Sequence, residues 1–336
     1  MIQECKLIDI IIPAYKSQKT IIKTLDSISM QTISNDTIVT IVNDADGIGY
    51  SDIIDHYSKF LDIRELVLEK NSGPGIARQH GIDNTNCKYI SFCDSDDTLY
   101  GPFALESLLK SAENSGTCCS VCGKHYLEVK EPTLHFIEIP QNYVWMFAKL
   151  YRRSFIDKYK IRFNDSRVNE DVGFNHWMRL VAIDEEERQV KLNQIVYCWF
   201  SNPNSITRSK EDFLYLDNIP GYVDNIIYAI KNARKAGIAN SHYVRQESIV
   251  TMADLYVFYM ECIYGKPKYE EINFKACVKF YNEIYQYLDL VLDKNFKDGI
   301  ILKTLYKKRD TLLSGIPILT FYQFLEKIKE VKYEEN

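Results

Sequence analysis

Between Lys88 and Tyr100 the sequence reads K-Y-I-S-F-C-D-S-D-D-T-L-Y. Tyr89, Ile90, Phe92 and Cys93 make an apolar run the length of one buried strand, and the run stops at Asp94, Asp96 and Asp97. In an extended chain, side chains two apart share a face, so Asp94 and Asp96, with Ser95 between them, are expected to project together from the strand end. Two hard oxygen ligands so placed suit Mg²⁺ or Mn²⁺, with substrate phosphates completing the shell. The plainer reading is a polar loop after a strand, with Asp97 or Thr98 starting a turn.

The rest of the first two hundred residues gives that strand its neighbours. Residues 7–12 form an apolar run closed by Pro13, as in a strand buried on both faces of a parallel sheet. Ile21, Ile22, Leu25 and Ile28 fall at helical spacing, with Ser17 as a candidate N-cap. A second strand, 37–42, runs into Asn43-Asp44. A helix marked by Ile53, Ile54, Tyr57, Phe60 and Leu61 follows, then a third strand over 63–68. Pro74 suits the start of the next helix, which carries Arg78. Strands alternating with helices predict a doubly wound α/β layer, mostly parallel, with ligands bound beyond the strands' carboxyl ends. Pro13, Ala14, Tyr15, Asp44, Asn71 and the acidic cluster all stand at such ends. Singly, each has a structural explanation: Asp44 as a turn cap, Asn71 as a left-handed residue before Gly73, Arg78 as a solvated helix residue. Neither GxGxxG nor GxxxxGK[ST] occurs at a strand–helix junction.

Further on, a helix is expected over 103–111, strands over 117–129 and 190–200, and a helix after Asn169-Glu170-Asp171 with Phe174, Trp177, Met178 and Val181 on one face. Glu170 and Asp171 fit the first turn of a helix by its dipole; a carboxylate there facing the crevice is also a candidate general base. From about Glu211 the texture becomes helical and tyrosine-rich, over 211–236, 241–264, 269–293 and 297–335 with breaks near Gly315 and Pro317. A boundary near 208 therefore separates an expected catalytic domain, 1–208, from a helical one, 209–336.

A net charge of −5 argues against a dedicated nucleic-acid binder, although Lys149 with Arg152 and Arg153, and Lys307 to Arg309, are candidate basic patches. The tail's mixed charges, with Glu326, Lys327, Lys329 and Glu330, read as a solvated helix face. Nine cysteines without a secretory leader imply reduced thiols in a cytoplasmic protein. Cys119 and Cys122 form a lone CxxC, too few ligands for zinc. No apolar run is long enough to span a bilayer, which leaves peripheral contact at the inner membrane face.

Taken in order, I-I-I-P-A-Y, L-D-S-I-S-M-Q-T, I-V-N-D, N-S-G-P-G-I-A-R-Q-H-G, Y-I-S-F-C-D-S-D-D, K-L-Y-R-R-S-F, N-E-D-V-G-F and N-S-I-T-R resemble the family-2 glycosyltransferases of the GT-A fold. The resemblance covers roughly residues 6–208. It implies an inverting, hexosyltransferase-type enzyme that uses a nucleotide-diphosphate sugar, usually a UDP-sugar, and a glycan, lipid-linked or other hydroxyl acceptor. By motif position, Pro13, Ala14 and Tyr15 would flank the nucleoside and Asp44 would accept from the base. Asn71 and Arg78 would help hold the nucleotide. Asp94 and Asp96 would be the DxD pair with Mn²⁺ or Mg²⁺, and Asp171 the general base. Asn43 stands where the family usually has an acid. The helical region would shape the acceptor site or mediate homo-oligomerisation, and Trp145, Tyr151 and Trp199 are candidates for stacking on sugar rings.

Three other readings fit parts of the pattern. Asp94-Ser95-Asp96-Asp97-Thr98-Leu99 matches the nucleophile motif of haloacid-dehalogenase-type phosphatases, without that family's downstream acids. A silent sugar-binding or nucleotide-binding module is another. The third is a transferase acting on nucleic-acid bases, whose DNA affinity would fall steeply with salt.

Overall fold

The computed structural model describes residues 6–130, 132–182, 188–202, 217–238, 242–288 and 319–331. The chain divides into two compact units, Met1–Pro203 and Asn204–Asn336. The expected boundary at 208, the N-S-I-T-R loop, the Lys307–Arg309 cluster and the breaks at Gly315 and Pro317 lie outside the described residues.

The first unit is built on one sheet in the order β3-β2-β1-β4-β8-β6-β9-β5. Strands β1 (Ile8–Ala14), β2 (Thr37–Asn43), β3 (Asp62–Val67) and β4 (Tyr89–Phe92) are parallel. β1 lies between β2 and β4, so Ile8, Ile10, Ile11 and Ile12 are fully buried. That position explains the unbroken apolar run, since neither face of the strand meets water. β3 is the edge strand and its residues are half-buried or exposed.

The other half of the sheet is mixed. β8 (Lys149–Arg152) inserts antiparallel between β4 and β6 (Ser120–Val129). β9 (Val190–Trp199) runs parallel to β6, while β5 (Thr98–Leu99) pairs antiparallel with β9 and β7 (His135–Ile139) with β6. Helices α1 (Ile21–Ser29), α2 (Ser51–Tyr57), α3 (Pro74–Asp83), α4 (Ala104–Asn114), α5 (Arg153–Tyr159) and α6 (Glu170–Val181) complete the unit. α6 buries far more than one face: of its last ten residues only Arg179 is exposed.

Some local expectations are corrected. Ser17 does not cap α1, whose N-cap is Thr20. The Ser17 carbonyl accepts the amides of Thr20 and Ile21, and its hydroxyl lies 2.9 Å from that of Tyr50. Lys149, Arg152 and Arg153 form no surface patch. Lys149 is fully buried, and Arg152 donates to the carbonyls of Ala112 and Cys118 and to the Tyr89 hydroxyl. Cys118, Cys119 and Cys122 are buried free thiols, and burial pushes Cys119 up to about 12.

The second unit contains α7 (Ile219–Ala233), α8 (His242–Gly265), α9 (Glu270–Glu283) and α10 (Phe321–Lys329). Its tyrosine-rich texture is core material: Tyr256 and Tyr259 are fully buried against Phe321 and Phe324. Thr320 and Gln323 form a capping box at the start of α10. Glu326, Lys327, Lys329 and Glu330 are exposed, as expected of a solvated helix face, and Lys327 also donates to the Tyr259 hydroxyl and lies over the Phe274 ring. Among the described residues no helix is long and apolar enough to cross a membrane.

Candidate active site

The carboxyl ends of β1, β2 and β4 meet the start of α3. Pro13 is half-buried and Ala14 buried, while the Tyr15 ring is 47% exposed beyond the strand. The Asp44 amide donates to the Ala14 carbonyl, which carries the β1–β2 pairing one residue past the strands. The buried Asp44 carboxylate accepts the Ser72 amide at 2.6 Å and the Gly73 amide at 2.8 Å. Asn71 donates its side-chain amide to the Asp44 carbonyl. Asp44 therefore shapes the turn before α3, where Gly73 has φ +89°. Each of its oxygens retains a second lone pair for a ligand.

Asn43 donates to Glu65 Oε1 at 2.8 Å. An acid at position 43 would meet the Glu65 carboxylate across β3, and the neutral amide removes that repulsion. The same loop holds Asp46, which sequence reasoning missed. Burial pushes its carboxyl up, but donors from Ile48, Gly49, Gln18 and Lys16 outweigh burial and hold it well below the usual carboxylate range. Its position in A-D-G-I-G, a short acid followed by amides free to turn back, was the available signal.

The acidic cluster does not continue β4. The Asp97 amide donates to the Asp94 carbonyl, so residues 94–97 form a tight turn and the alternation expected of an extended chain does not apply. Asp97 is fully buried and structural: it accepts the Tyr197 hydroxyl at 2.8 Å and the Phe200 amide at 2.8 Å. The Tyr197 oxygen in turn accepts the Asp94 amide at 3.1 Å. Asp94, Ser95 and Asp96 stay partly exposed. Asp94 takes Arg78 at 2.8 Å and Asp96 takes the Asn202 side-chain amide at 2.6 Å. Burial raises the carboxyl of Asp96, with the charge of Asp94 adding to it, and raises that of Asp97 much further.

Arg78 is not the solvated residue its helical position allowed. Its side chain is 7% exposed and joins two parts of the chain, with Asp94 on one nitrogen and Glu170 on another at 2.6 Å. Burial alone disfavours its charge, but those two carboxylates hold it firmly protonated. Glu170 opens α6 after Asn169, which adopts the left-handed conformation (φ +57°). The loop before α6 docks on the Asp44 turn, where Arg167 donates to the Asn71 side chain at 2.9 Å and to its carbonyl at 2.7 Å. Asp44, Asn71 and Arg167 thus form one bonded group and Asp94, Arg78 and Glu170 a second, both anchored on the chain that leads into α6.

Asp171 keeps part of its surface open but is closely surrounded. Burial, then the charge of Glu170, raise its carboxyl to about 7, against the opposing pull of Arg78, the Val172 amide and Lys149. A carboxylate poised there exchanges protons at physiological pH. The aromatic candidates divide. Tyr151 is fully buried and donates to Asn175, so it cannot stack on a sugar. Trp145 and Trp199 are half-buried, 5.5 Å apart, in a cluster with Phe147 and Tyr197. Among the described residues no group of three or more His, Cys, Asp or Glu side chains is arranged to hold a metal by itself.

Residues 9–186 match the family model described as Glycosyl transferase family 2. EpsJ of Bacillus subtilis (strain 168), described as an uncharacterized glycosyltransferase, is 28% identical over 224 residues, covering 60% of this chain and 63% of EpsJ. The glycosyltransferase GlyA of Streptococcus pneumoniae serotype 4 (strain ATCC BAA-334 / TIGR4) is 26% identical over 225 residues, 60% of this chain and 31% of GlyA. These matches span less than two thirds of either relative. The crystal structure of S. aureus TarS 1–349 in complex with UDP-GlcNAc superposes with a TM-score of 0.62 at 18% identity, covering 91% of this chain and 89% of TarS 1–349. That likeness establishes the GT-A fold, a mostly parallel sheet with a helical C-terminal region. By the extent of the family match the chain belongs to glycosyl transferase family 2.

Proposed function

We propose that this chain transfers a sugar from a UDP-sugar to an acceptor hydroxyl with inversion, using Asp171 as general base. The observation that carries the reading is the Arg78 bridge, which ties Asp94 of the acidic turn to Glu170, the immediate neighbour of Asp171. Support for the donor comes from TarS, whose structure holds UDP-GlcNAc. The phosphatase reading is set aside because the chain belongs to a different family.

The acidic turn fits a hard divalent cation. Its donors are carboxylate oxygens, and the carboxyls of Asp96 and Asp97, raised first by burial, are raised further by the charge of neighbouring carboxylates, which a cation would offset. Asp94 and Asp96 would hold Mn²⁺ or Mg²⁺, which supplies charge neutralisation for a departing diphosphate. Pro13, Ala14 and Tyr15 would flank the nucleoside and Asp44 would face its base. Ser95 and Asn71 would line the donor pocket, and Arg78, which holds Asp94, would help hold the nucleotide. Asp171, within hydrogen-bond reach of the acceptor hydroxyl, would take its proton as the oxygen attacks from the face opposite the diphosphate. Inversion needs no covalent intermediate, so one base is sufficient.

The acceptor is proposed to be a glycan or other hydroxyl-bearing molecule handled in the cytoplasm at the membrane face. The helical second unit would serve acceptor recognition or homo-oligomerisation. A nucleic-acid acceptor loses much of its support with the burial of Lys149 and the engagement of Arg152.

A panel of nucleotide sugars with Mn²⁺ tests the proposal, scored for nucleotide release and thermal stabilisation. UDP should raise the melting temperature, and one UDP-sugar should release UDP. Stabilisation by no uridine nucleotide would overturn the donor assignment.

A further inference from the structure

Beyond β1 and β2 the chain turns twice on a left-handed residue that is not glycine. Lys16 (φ +53°) follows Tyr15, and Ala45 (φ +55°) follows Asp44. Backbone of this kind is strained and persists only where its surroundings hold it.

Asp46 holds both turns. Its Oδ2 accepts the Lys16 amide at 3.2 Å and the Gln18 side-chain amide at 2.6 Å. Its Oδ1 accepts the Ile48 amide at 2.8 Å and the Gly49 amide at 3.1 Å. Its own amide donates to Asn43 Oδ1 at 2.9 Å, which closes the turn that carries Asp44 and Ala45. Asn43 is pinned in turn to Glu65 on β3. The Lys16 side chain folds back until its ammonium lies 5.1 Å from the centre of the Tyr15 ring. Through Lys16 the carboxylate therefore steadies Tyr15, and through Asn43 it steadies Asp44.

A carboxylate oxygen has two lone pairs, and on Asp46 each oxygen already takes two donors. The residue is also buried, so it is a joint and not a ligand for the nucleotide. Those donors hold it ionised, and bonds to an ionised acceptor are the stronger kind. A separate tie joins the same segments: the Ser17 amide donates to the Tyr50 hydroxyl at 3.2 Å, and the two hydroxyls lie 2.9 Å apart. That tie does not involve Asp46, so the segments stay attached without it. What Asp46 adds is their spacing at Tyr15 and Asp44.

We propose that Asp46 is a positioning residue for the donor: it joins the turn after Tyr15 to the turn after Asp44 and so fixes the gap that receives the nucleoside. The proposal rests on the nucleoside reading of Tyr15 and Asp44, and the test separates the two. In the full chain, Asp46→Asn keeps the shape and one acceptor oxygen, so one of the two segments loses its acceptor. UDP is titrated calorimetrically with Mn²⁺ present, beside pyrophosphate, which carries the diphosphate without the nucleoside. The Kd for UDP should rise about tenfold, with pyrophosphate within about twofold of the parent. Parent-like UDP affinity would overturn the proposal. Equal losses for UDP and pyrophosphate would overturn it too, as the mark of a general disturbance.

Where pyrophosphate binds neither protein, steady-state kinetics with the UDP-sugar decide. A KM raised about tenfold at a kcat within about twofold of the parent supports the joint, and a kcat that falls with affinity overturns it. Should Asp46→Asn not fold, Gln18→Ala removes one arm and leaves the carboxylate in place. Its Kd for UDP should rise about threefold, and an unchanged Kd would overturn the proposal. If Tyr15→Ala binds UDP as the parent does, the nucleoside reading itself fails and the proposal with it. Weakened binding in Tyr15→Ala beside parent-like binding in Asp46→Asn removes the role of Asp46 alone.

Discussion

Arg78 donates to Glu170 at 2.6 Å, joining the second turn of α3 to the first turn of α6 across 92 residues of sequence. Both side chains are almost closed to water, and the second arm of Arg78 holds Asp94. Breaking one partner of a buried pair leaves the other uncompensated. Glu170→Ala should therefore destabilise the first unit by about 3 kcal/mol. Urea unfolding followed by tryptophan fluorescence measures this, and a loss under about 1 kcal/mol would place the pair among surface bridges.

Gly75 leaves no room for a side chain. A Cβ there would stand 2.9 Å from both Cβ and Cγ of Glu170. Gly75→Ala should displace Glu170 from Arg78 and move the start of α6. The expected result is a kcat lower by on the order of tenfold or more, since small misplacements of reacting groups are costly. UDP binding should be retained. Steady-state kinetics beside a UDP melting curve distinguish this from unfolding.

Much of the first unit was legible because its strands are covered on both faces. β1, β2 and β4 read as apolar runs; Asp44 and Asp94 follow β2 and β4, and Asn71 follows the edge strand β3, because that is where chain leaves a parallel sheet. The antiparallel insertion of β8 between β4 and β6 was not legible, since K-L-Y-R has no local feature that sets its direction. The burial of Lys149 and Arg78 was hidden for a related reason. Cations at those positions read as surface charge until distant segments supply their neighbours. The acidic turn shows the reverse error: Asp94 and Asp96 were correctly placed at the strand end, but alternation was extended past the residue where the chain bends.

Tyr197 holds the acidic turn from below, accepting the Asp94 amide and donating to Asp97. Tyr197→Phe keeps the ring stacked on Phe147 and removes both bonds. It should cost about 1–3 kcal/mol and weaken the metal dependence of turnover. Unfolding curves and a Mn²⁺ titration check the two parts.

The Asp171 carboxyl lies at about 7 because burial and Glu170 raise it against Arg78. A base must be ionised, so activity is present above that value and is lost as pH falls through it. With the wild-type chain, kcat/KM should fall about tenfold per unit below pH 7. A flat profile down to pH 5 would mean that the group is an ordinary exposed acid.

Asp171→Asn tests the transfer chemistry most directly, because it removes proton acceptance and leaves the donor pocket intact. Measured with the UDP-sugar found by the donor panel, UDP release should fall about a thousandfold while UDP still raises the melting temperature as in the parent. Release within about tenfold of the parent, with UDP binding unchanged, would contradict Asp171 as the base.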